Sequence, residues 1–153
     1  MDNERLKTEL QPLLEILRGV DVRDPGAAVA TLNAAAPVDG PLVRGIRAMA
    51  EAGAAAGWLL PKENAGVRFG RVAKDLGGFS IDAVHMDGPG PEHVHPNGEI
   101  DLCFAQKGAP TFDGKPAGWV VYGPQSRHVP TVRDGEMLIL YFLPGGAIEF
   151  VKN

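Results

Sequence analysis

The sequence changes character near residue 60, and this change restricts the fold more than any other feature. Residues 1–60 contain one aromatic residue, Trp58, and no histidine, whereas residues 61–153 contain nine aromatic residues and all four histidines. The first part is rich in Ala and Leu, which favour helices. The second is rich in Val, Ile, Phe, Tyr, Gly and Pro, which favour strands and turns. We therefore predict an N-terminal helical segment over residues 1–60 and a β domain over residues 61–153.

Three helices are predicted in the first segment. Leucines at helical spacing place one helix over about residues 3–18, where Pro12 either kinks the helix or marks its true start. Asp24-Pro25 is a typical helix start, with a capping side chain followed by proline in the first turn. The third helix is expected to begin near Gly40-Pro41 and to end at Gly57.

The second segment shows the residue alternation of strands. Turn signals such as Asp113-Gly114 and Pro144-Gly145-Gly146 separate the candidate strands. Short strands at such regular spacing favour an antiparallel sandwich or barrel, and a doubly wound α/β fold is not expected because helices do not alternate with strands. Residues 137–142 are apolar throughout, as expected for a strand buried between two layers. The candidate strands are residues 79–86, 99–104, 119–122, 128–132, 137–142 and 148–151.

Charge and composition exclude several classes of function. The net charge is −4 and the sequence has no basic run, so a nucleic-acid partner is not expected. No apolar stretch approaches the length of a membrane span, and the polar N-terminus does not resemble a signal peptide. We therefore expect a cytoplasmic protein. The single cysteine, Cys103, rules out an internal disulfide framework and a cysteine-based zinc finger.

One short segment carries the clearest chemical signal. His93 and His95 lie two residues apart, so a strand would point both imidazoles to one side. The turn Pro96-Asn97-Gly98 predicts a tight hairpin that returns Glu99 beside them. Two imidazoles and a carboxylate suit a divalent transition metal, and His128 is the candidate fourth ligand. A His-x-His pair alone is more often a surface or hydrogen-bonded feature, but Glu99 and His128 favour a metal site. The donor set does not choose among Fe, Mn, Co, Ni and Zn.

These residues resemble the two sequence motifs of the cupin superfamily. The sequence departs from these motifs in spacing and in residue type. Gly88 lies one residue closer to His93 than is usual, and His128 follows Pro124 one residue early. Gln106 stands where the first motif ends in glycine, and Ser126 and Val132 replace a glycine and an asparagine of the second. The resemblance covers about residues 66–151 and implies a small antiparallel β-barrel of the double-stranded β-helix or jelly-roll type, with a metal in its lumen. The matching residues are His93, His95 and Glu99 in the first motif and Gly118, Pro124 and His128 in the second.

A narrower resemblance extends over most of the chain. A helical segment precedes His-x-His-Pro-Asn-Gly-Glu-Ile-Asp-Leu, and Gly-Trp-Val-Val-Tyr-Gly-Pro-x-Ser-x-His-x-Pro-Thr-Val follows. This pattern is similar to the 4-hydroxylaminobenzoate lyase family of bacterial nitroaromatic degradation. That family converts 4-hydroxylaminobenzoate to 3,4-dihydroxybenzoate (protocatechuate) and ammonia. The resemblance implies a carbon–nitrogen lyase that acts on a small aromatic acid.

Several residues near the predicted site have alternative roles. Glu99 is a metal ligand or, without metal, a base. Asp101 should share the strand face of Glu99, where it either takes part in catalysis or orients a histidine. Tyr122 either donates a proton or packs on its strand. His85 either lines the lumen and contacts the substrate or is a core histidine.

A benzoate substrate calls for a cation, ideally a bidentate arginine. Arg68, Arg71 and Arg127 are candidates, and the sequence does not choose among them. Arg127 is taken as the substrate-binding candidate, although it adjoins His128 and strand alternation points it away if His128 points inward.

Two other functions are compatible with the same residues. A cupin dioxygenase would use the same ligands to hold Fe(II) and attack an aromatic substrate with oxygen. A non-enzymatic cupin would only bind a small molecule. Because cupins often pair, we expect a homodimer in each case.

Overall fold

The computed structural model describes residues 3–151. Three helices come first: α1 (Asn3–Arg18), α2 (Pro25–Ala35) and α3 (Pro41–Ala56). The strands that follow are β1 (Lys62–Asn64), β2 (Val67–Leu76), β3 (Phe79–Met86), β4 (His93–His95), β5 (Glu99–Phe112), β6 (Lys115–Pro116), β7 (Gly118–Tyr122), β8 (Ser126–His128), β9 (Val132–Pro144) and β10 (Glu149–Phe150).

Within the described residues the strands form two antiparallel sheets. The larger sheet has the order β1-β2-β3-β9-β5-β6, with β7 also paired to β5, and the smaller has the order β10-β4-β8. The predicted fold class is confirmed: mainly β with an N-terminal helical segment and an antiparallel jelly-roll arrangement. Among residues 3–151 the two sheets are not joined into a closed barrel, since no strand of one sheet pairs with a strand of the other.

The three predicted helices are present, and local sequence signals explain their ends. In α1 the leucines at helical spacing are all buried, and the helix continues through Pro12, which lies on its exposed side. At the start of α2, Asp24 Oδ1 accepts a hydrogen bond from the backbone N–H of Ala27 at 3.2 Å. Gly57 ends α3 in the left-handed conformation, with φ of 90°.

Two apolar cores lie on opposite faces of the larger sheet. The outer core joins the helices to residues such as Ile81 and Leu140, and the inner core, between the sheets, includes Met86, Cys103 and Tyr141. Neighbouring residues of β9 therefore enter different cores, which confirms that residues 137–142 form a strand buried between two layers. The strand face of a residue decides whether it can reach the space between the sheets.

Several strand boundaries differ from the prediction, and two of the differences concern strands that carry site residues. The single strand predicted over residues 128–132 is wrong: β8 ends at His128, and β9 begins at Val132. Pro130 lies between them and has no N–H to donate to a ladder. The strand that begins at Glu99 continues past Phe104 to Phe112, with register shifts after Ala105 and Gly108. None of the helices in the described part of the chain is long and apolar enough to cross a membrane.

Candidate metal centre

The histidines come together through the pairing of two short strands. On β4, His93 and His95 are separated by one residue, so their buried side chains project to the same side, as predicted. His128 on β8 lies directly opposite His93 in the antiparallel register. Cross-strand partners share a face, so this pairing brings the third imidazole to the first two.

The turn after β4 positions the Glu99 carboxylate beside the histidines. Gly98 has φ of 87°, and its N–H donates to the His95 carbonyl oxygen at 3.2 Å. A Cβ atom at Gly98 would lie 2.8 Å from the Tyr122 carbonyl oxygen, so only glycine fits there. The predicted tight hairpin is wrong, because the turn carries the chain from the smaller sheet to the larger one. It nevertheless places Glu99 beside the histidines, where the sequence analysis expected it.

The four side chains form a compact cluster. One ligand atom from each of His93, His95, Glu99 and His128 lies within 4.8 Å of the others. Glu99 Oε1 is 3.1 Å from His95 Nε2 and 3.4 Å from His93 Nε2. Glu99 Oε2 is 3.8 Å from His128 Nε2, which is 3.2 Å from His95 Nε2. The structure thus brings together all four residues that the sequence analysis took as ligands.

The second nitrogen of each imidazole contacts an oxygen outside the cluster. When Nδ1 donates its proton to that oxygen, the lone pair of Nε2 is left free and directed at the cluster. Histidine ligands in metalloproteins are oriented in this way. The oxygens are the Pro91 carbonyl at 3.1 Å from His93, Ser126 Oγ at 2.8 Å from His95 and Asp113 Oδ2 at 2.5 Å from His128.

The unpartnered atoms of the cluster fit a bound cation. Both oxygens of Glu99 and Nε2 of His93 are buried and have no hydrogen-bond partner within the described residues. Polar atoms left in this state are costly to bury, whereas a cation would accept their lone pairs. Three nitrogens and one oxygen form a donor set that Fe, Mn, Co, Ni and Zn all accept. The residues present therefore fit the metal that the sequence analysis predicted.

The two buried carboxyl groups of β5 have opposite protonation preferences. Burial raises the pKa of Glu99, but the imidazoles of His128, His93 and His95 outweigh it and hold that pKa well below its usual range. Burial, followed by the negative charge of Glu99, raises the pKa of Asp101 well above its usual range. Ionisation is therefore favoured at Glu99 and disfavoured at Asp101.

A comparison with protein-family models identifies the family to which the chain belongs. The family model described as "PnbB: 4-hydroxylaminobenzoate lyase" matches residues 11–150. The chain belongs to the 4-hydroxylaminobenzoate lyase family. Membership confirms the predicted family and the expectation of a lyase enzyme.

Two curated relatives, each named 4-hydroxylaminobenzoate lyase, are similar to this family member. The protein from Pseudomonas putida is 30% identical over 119 residues, which cover 64% of this chain and 68% of the relative. The protein from Nocardioides sp. (strain LMS-CY) is 33% identical over 107 residues, which cover 61% of this chain and 63% of the relative. Among solved structures, an RmlC-like cupin protein from Ralstonia eutropha JMP134 matches 63% of this chain and 67% of its own with 13% identity and a TM-score of 0.44.

Asp113 is a site residue of this lyase-family protein that the sequence analysis missed. Its carboxylate accepts hydrogen bonds from the Tyr122 hydroxyl and from the Thr131 backbone N–H, the latter at 2.8 Å, besides contacting His128. Burial raises the pKa of Asp113, but His128 and Tyr122 lower it more. In the sequence, Asp113-Gly114 is only a turn signal, and no spacing rule connects it to His128. The contact between Asp113 and His128 depends on how far β5 extends, because Asp113 directly follows the last residue of that strand.

Asp101 and Tyr122 lie beside the cluster. Asp101 is fully buried on the strand face of Glu99, and its oxygens have no hydrogen-bond partner among the described residues. The carboxylate found against a histidine Nδ1 is that of Asp113. Tyr122 packs its ring on His128, with ring centroids 4.2 Å apart.

The structure does not bring His85 to the cluster. Val84 and Met86 of β3 belong to the inner core, so His85 projects to the opposite face, together with Ile81 of the outer core. Its Nε2 is 3.0 Å from Glu136 Oε1. The expectation that His85 lines the lumen is therefore not met, because alternation places it on the side of the sheet that faces the helices.

The arginine candidates also lie outside the cluster. Arg127 pairs with Glu92, with Nε 2.8 Å from Oε2, and points away as strand alternation predicts when His128 points inward. Arg71 pairs with Asp82 at 2.9 Å. Arg68 lies opposite His85 in the β2–β3 register and so projects to the same side as His85.

Proposed function

We propose that this lyase-family protein converts 4-hydroxylaminobenzoate to 3,4-dihydroxybenzoate and ammonia, with a divalent transition metal held by His93, His95, Glu99 and His128. The observation that carries the proposal is the convergence of three imidazoles and one carboxylate within 4.8 Å. Membership of a family described as 4-hydroxylaminobenzoate lyase supports the reaction class. The buried and unpartnered atoms of Glu99 and His93 support the metal.

The proposed reaction balances without a separate oxidant or reductant. One water is consumed and one ammonia is released. The N–O bond, the ring C–N bond and one ring C–H bond break, and two ring C–O bonds form. The hydroxylamino nitrogen takes up the two electrons that the ring loses, so the substrate supplies its own oxidising equivalent. The protein then has to bind and orient the substrate and to move protons.

The four ligand residues define where the reacting group lies. When bound, a divalent metal supplies Lewis acidity toward the hydroxylamino oxygen or toward water. Glu99 contributes one negative charge at a fully buried position because its carboxyl stays ionised. The oxygens at the Nδ1 atoms keep the three imidazoles oriented toward the cluster, so the ligand geometry is held in place before substrate binds.

Asp101 is the proton donor in this proposal. Its carboxyl keeps a proton because burial and the charge of Glu99 disfavour ionisation. It lies two residues from Glu99 on the same strand face, with both oxygens free of hydrogen-bond partners in the described chain. We assign to it the proton that the departing nitrogen takes up.

Tyr122 forms the aromatic wall of the site. Its ring lies against His128 and His95, with centroid separations of 4.2 and 5.4 Å. Burial and the Asp113 carboxylate raise the pKa of Tyr122, so the hydroxyl stays protonated and keeps donating to Asp113. A benzoate ring can stack on such a wall with its hydroxylamino group toward the imidazoles.

Anaerobic turnover tests the proposal. Purified, metal-loaded protein is incubated with 4-hydroxylaminobenzoate without oxygen, and 3,4-dihydroxybenzoate and ammonia are measured together. We expect equal amounts of both products. Metal removal and the Glu99→Gln variant should each lower the rate at least about 100-fold, more than the loss of a ligand's outer partner costs. No product from folded, metal-loaded protein would overturn the proposed reaction, and product formed only with oxygen would indicate a dioxygenase.

A further inference from the structure

We infer that Lys115 binds the carboxylate of the aromatic acid that enters this site, an inference that rests on the proposed function for the identity of that acid. Lys115 lies on the short strand β6, directly opposite Phe112 of β5. Paired residues of antiparallel strands project to the same side of a sheet. Because Phe112 belongs to the inner core, Lys115 projects toward the space between the sheets.

Lys115 and the metal centre contact the same aromatic side chain. The ammonium nitrogen of Lys115 lies 4.9 Å from the ring centroid of Tyr122. The ring of His128 lies 4.2 Å from that centroid. The distance between the ammonium nitrogen and the centroid of the His128 ring therefore cannot exceed the sum of these two separations. A benzene ring with two substituents at opposite positions is of the right length to reach from the Lys115 ammonium to the His128 ring.

The positive charge of Lys115 also acts on buried groups next to the cluster. Burial and nearby carboxylates raise the pKa of Asp101 and of Cys103, and the positive charge of Lys115 partly offsets both increases. The positive charge of Lys115 beside the Tyr122 ring suits a monocarboxylate better than a neutral ligand.

Lys115 is available, whereas the arginines considered from the sequence are not. Arg127 and Arg71 each pair with a carboxylate, and Arg68 projects to the helix-facing side of the sheet. No ion pair between described residues involves Lys115, which is exposed and has a long flexible stem. An aromatic monocarboxylate whose ring packs on Tyr122 is thus the ligand class that matches this cation.

Two stable analogues separate recognition of the carboxylate from binding of the ring. We would measure the affinity of 4-aminobenzoate and of aniline by calorimetry, using metal-loaded protein. The wild type should prefer 4-aminobenzoate. Lys115→Met should weaken 4-aminobenzoate about tenfold or more, the value of a hydrogen bond to a charged group, and leave aniline unchanged. Lys115→Arg should keep most of the preference because the charge remains. For 4-hydroxylaminobenzoate, KM should rise in Lys115→Met with little change in kcat.

The matched control is Lys62→Met. Lys62 is an exposed lysine on β1, at the opposite edge of the larger sheet from β6. This variant should bind both analogues like the wild type. The inference is overturned if Lys115→Met binds 4-aminobenzoate as tightly as the wild type does, or if it loses aniline to the same extent. Carboxylate-selective binding without anaerobic turnover would leave the inference standing and remove the proposed reaction. Anaerobic turnover without carboxylate-selective binding would leave the proposed reaction standing and overturn the inference about Lys115.

Discussion

Asp113 fixes the direction in which His128 presents its Nε2 atom. Its carboxylate contacts His128 Nδ1 at 2.5 Å and also accepts a hydrogen bond from the Tyr122 hydroxyl. Asp113→Asn keeps the shape of the side chain but removes the negative charge. We expect this change to weaken metal binding about 10- to 100-fold, as is usual when the outer partner of a histidine ligand is lost. Competition with a chromophoric chelator measures the effect.

Asp134→Asn is the control for this substitution. Asp134 resembles Asp113 in backbone and context: both have positive φ, 63° and 50°, and both precede a glycine. Asp134 is exposed, and among the described residues it is not part of the histidine cluster. Its variant should bind metal like the wild type. Equal metal affinity of Asp113→Asn and the wild type would show that Asp113 does not orient His128.

The protonation of Cys103 gives a second prediction at the residue scale. Burial, followed by the charges of nearby carboxylates, raises the pKa of the Cys103 thiol well above its usual range. The folded state therefore binds this proton more tightly than the unfolded state. Its stabilising effect is complete below the unfolded pKa and is lost as the pH rises through the folded pKa. Because the thiolate is the nucleophile, alkylation by iodoacetamide in mildly alkaline buffer should be at least about tenfold slower in folded than in denatured protein. Equal rates would contradict the burial.

At the scale of the element, α3 contains two glycines with opposite roles. A Cβ at Gly53 would lie 2.5 Å from the Trp58 ring, whereas a Cβ at Gly45 would meet only the end of the Glu9 side chain at 3.0 Å. Gly53→Ala should lower the free energy of unfolding by about 1–3 kcal/mol through overpacking. Gly45→Ala should raise it by up to about 1 kcal/mol, since Glu9 can move and alanine favours the helix. Urea unfolding compares the two, and equal effects would show that Trp58 does not limit the packing.

Elements with strong local signals could be predicted from the sequence. Capping and turn residues located the helices, and strand alternation placed His93 and His95 on one side. Sheet membership could not be predicted, because it depends on contacts between distant residues. The turn Pro96-Asn97-Gly98 has the chemistry of a hairpin, yet it joins strands of different sheets. The contact between Asp113 and His128 could not be predicted from the sequence for the same reason.

At the scale of the whole molecule, the larger sheet separates a core that packs against the helices from a core that packs beside the histidine cluster. Trp119 of β7 bridges the helical and β segments, because its indole N–H donates to the Ala36 carbonyl oxygen at the end of α2, at 2.8 Å. The helices cover apolar residues such as Leu140 and Phe142, which an isolated 61–153 segment would expose. The division near residue 60 thus separates secondary-structure types within a shared outer core.

This shared core leads us to expect that the two segments unfold together. Helix content from far-UV circular dichroism and the fluorescence of Trp119, measured in a Trp58→Phe variant because Trp58 packs on α3, should give coincident urea transitions. The proposed metal, although it binds on the other side of the sheet, should raise both midpoints equally, because a ligand of the folded state stabilises the whole cooperative unit. An early loss of helix signal, with the metal raising only the fluorescence midpoint, would instead mean that residues 1–60 and 61–153 are separate folding units. The metal centre would then be independent of the helices.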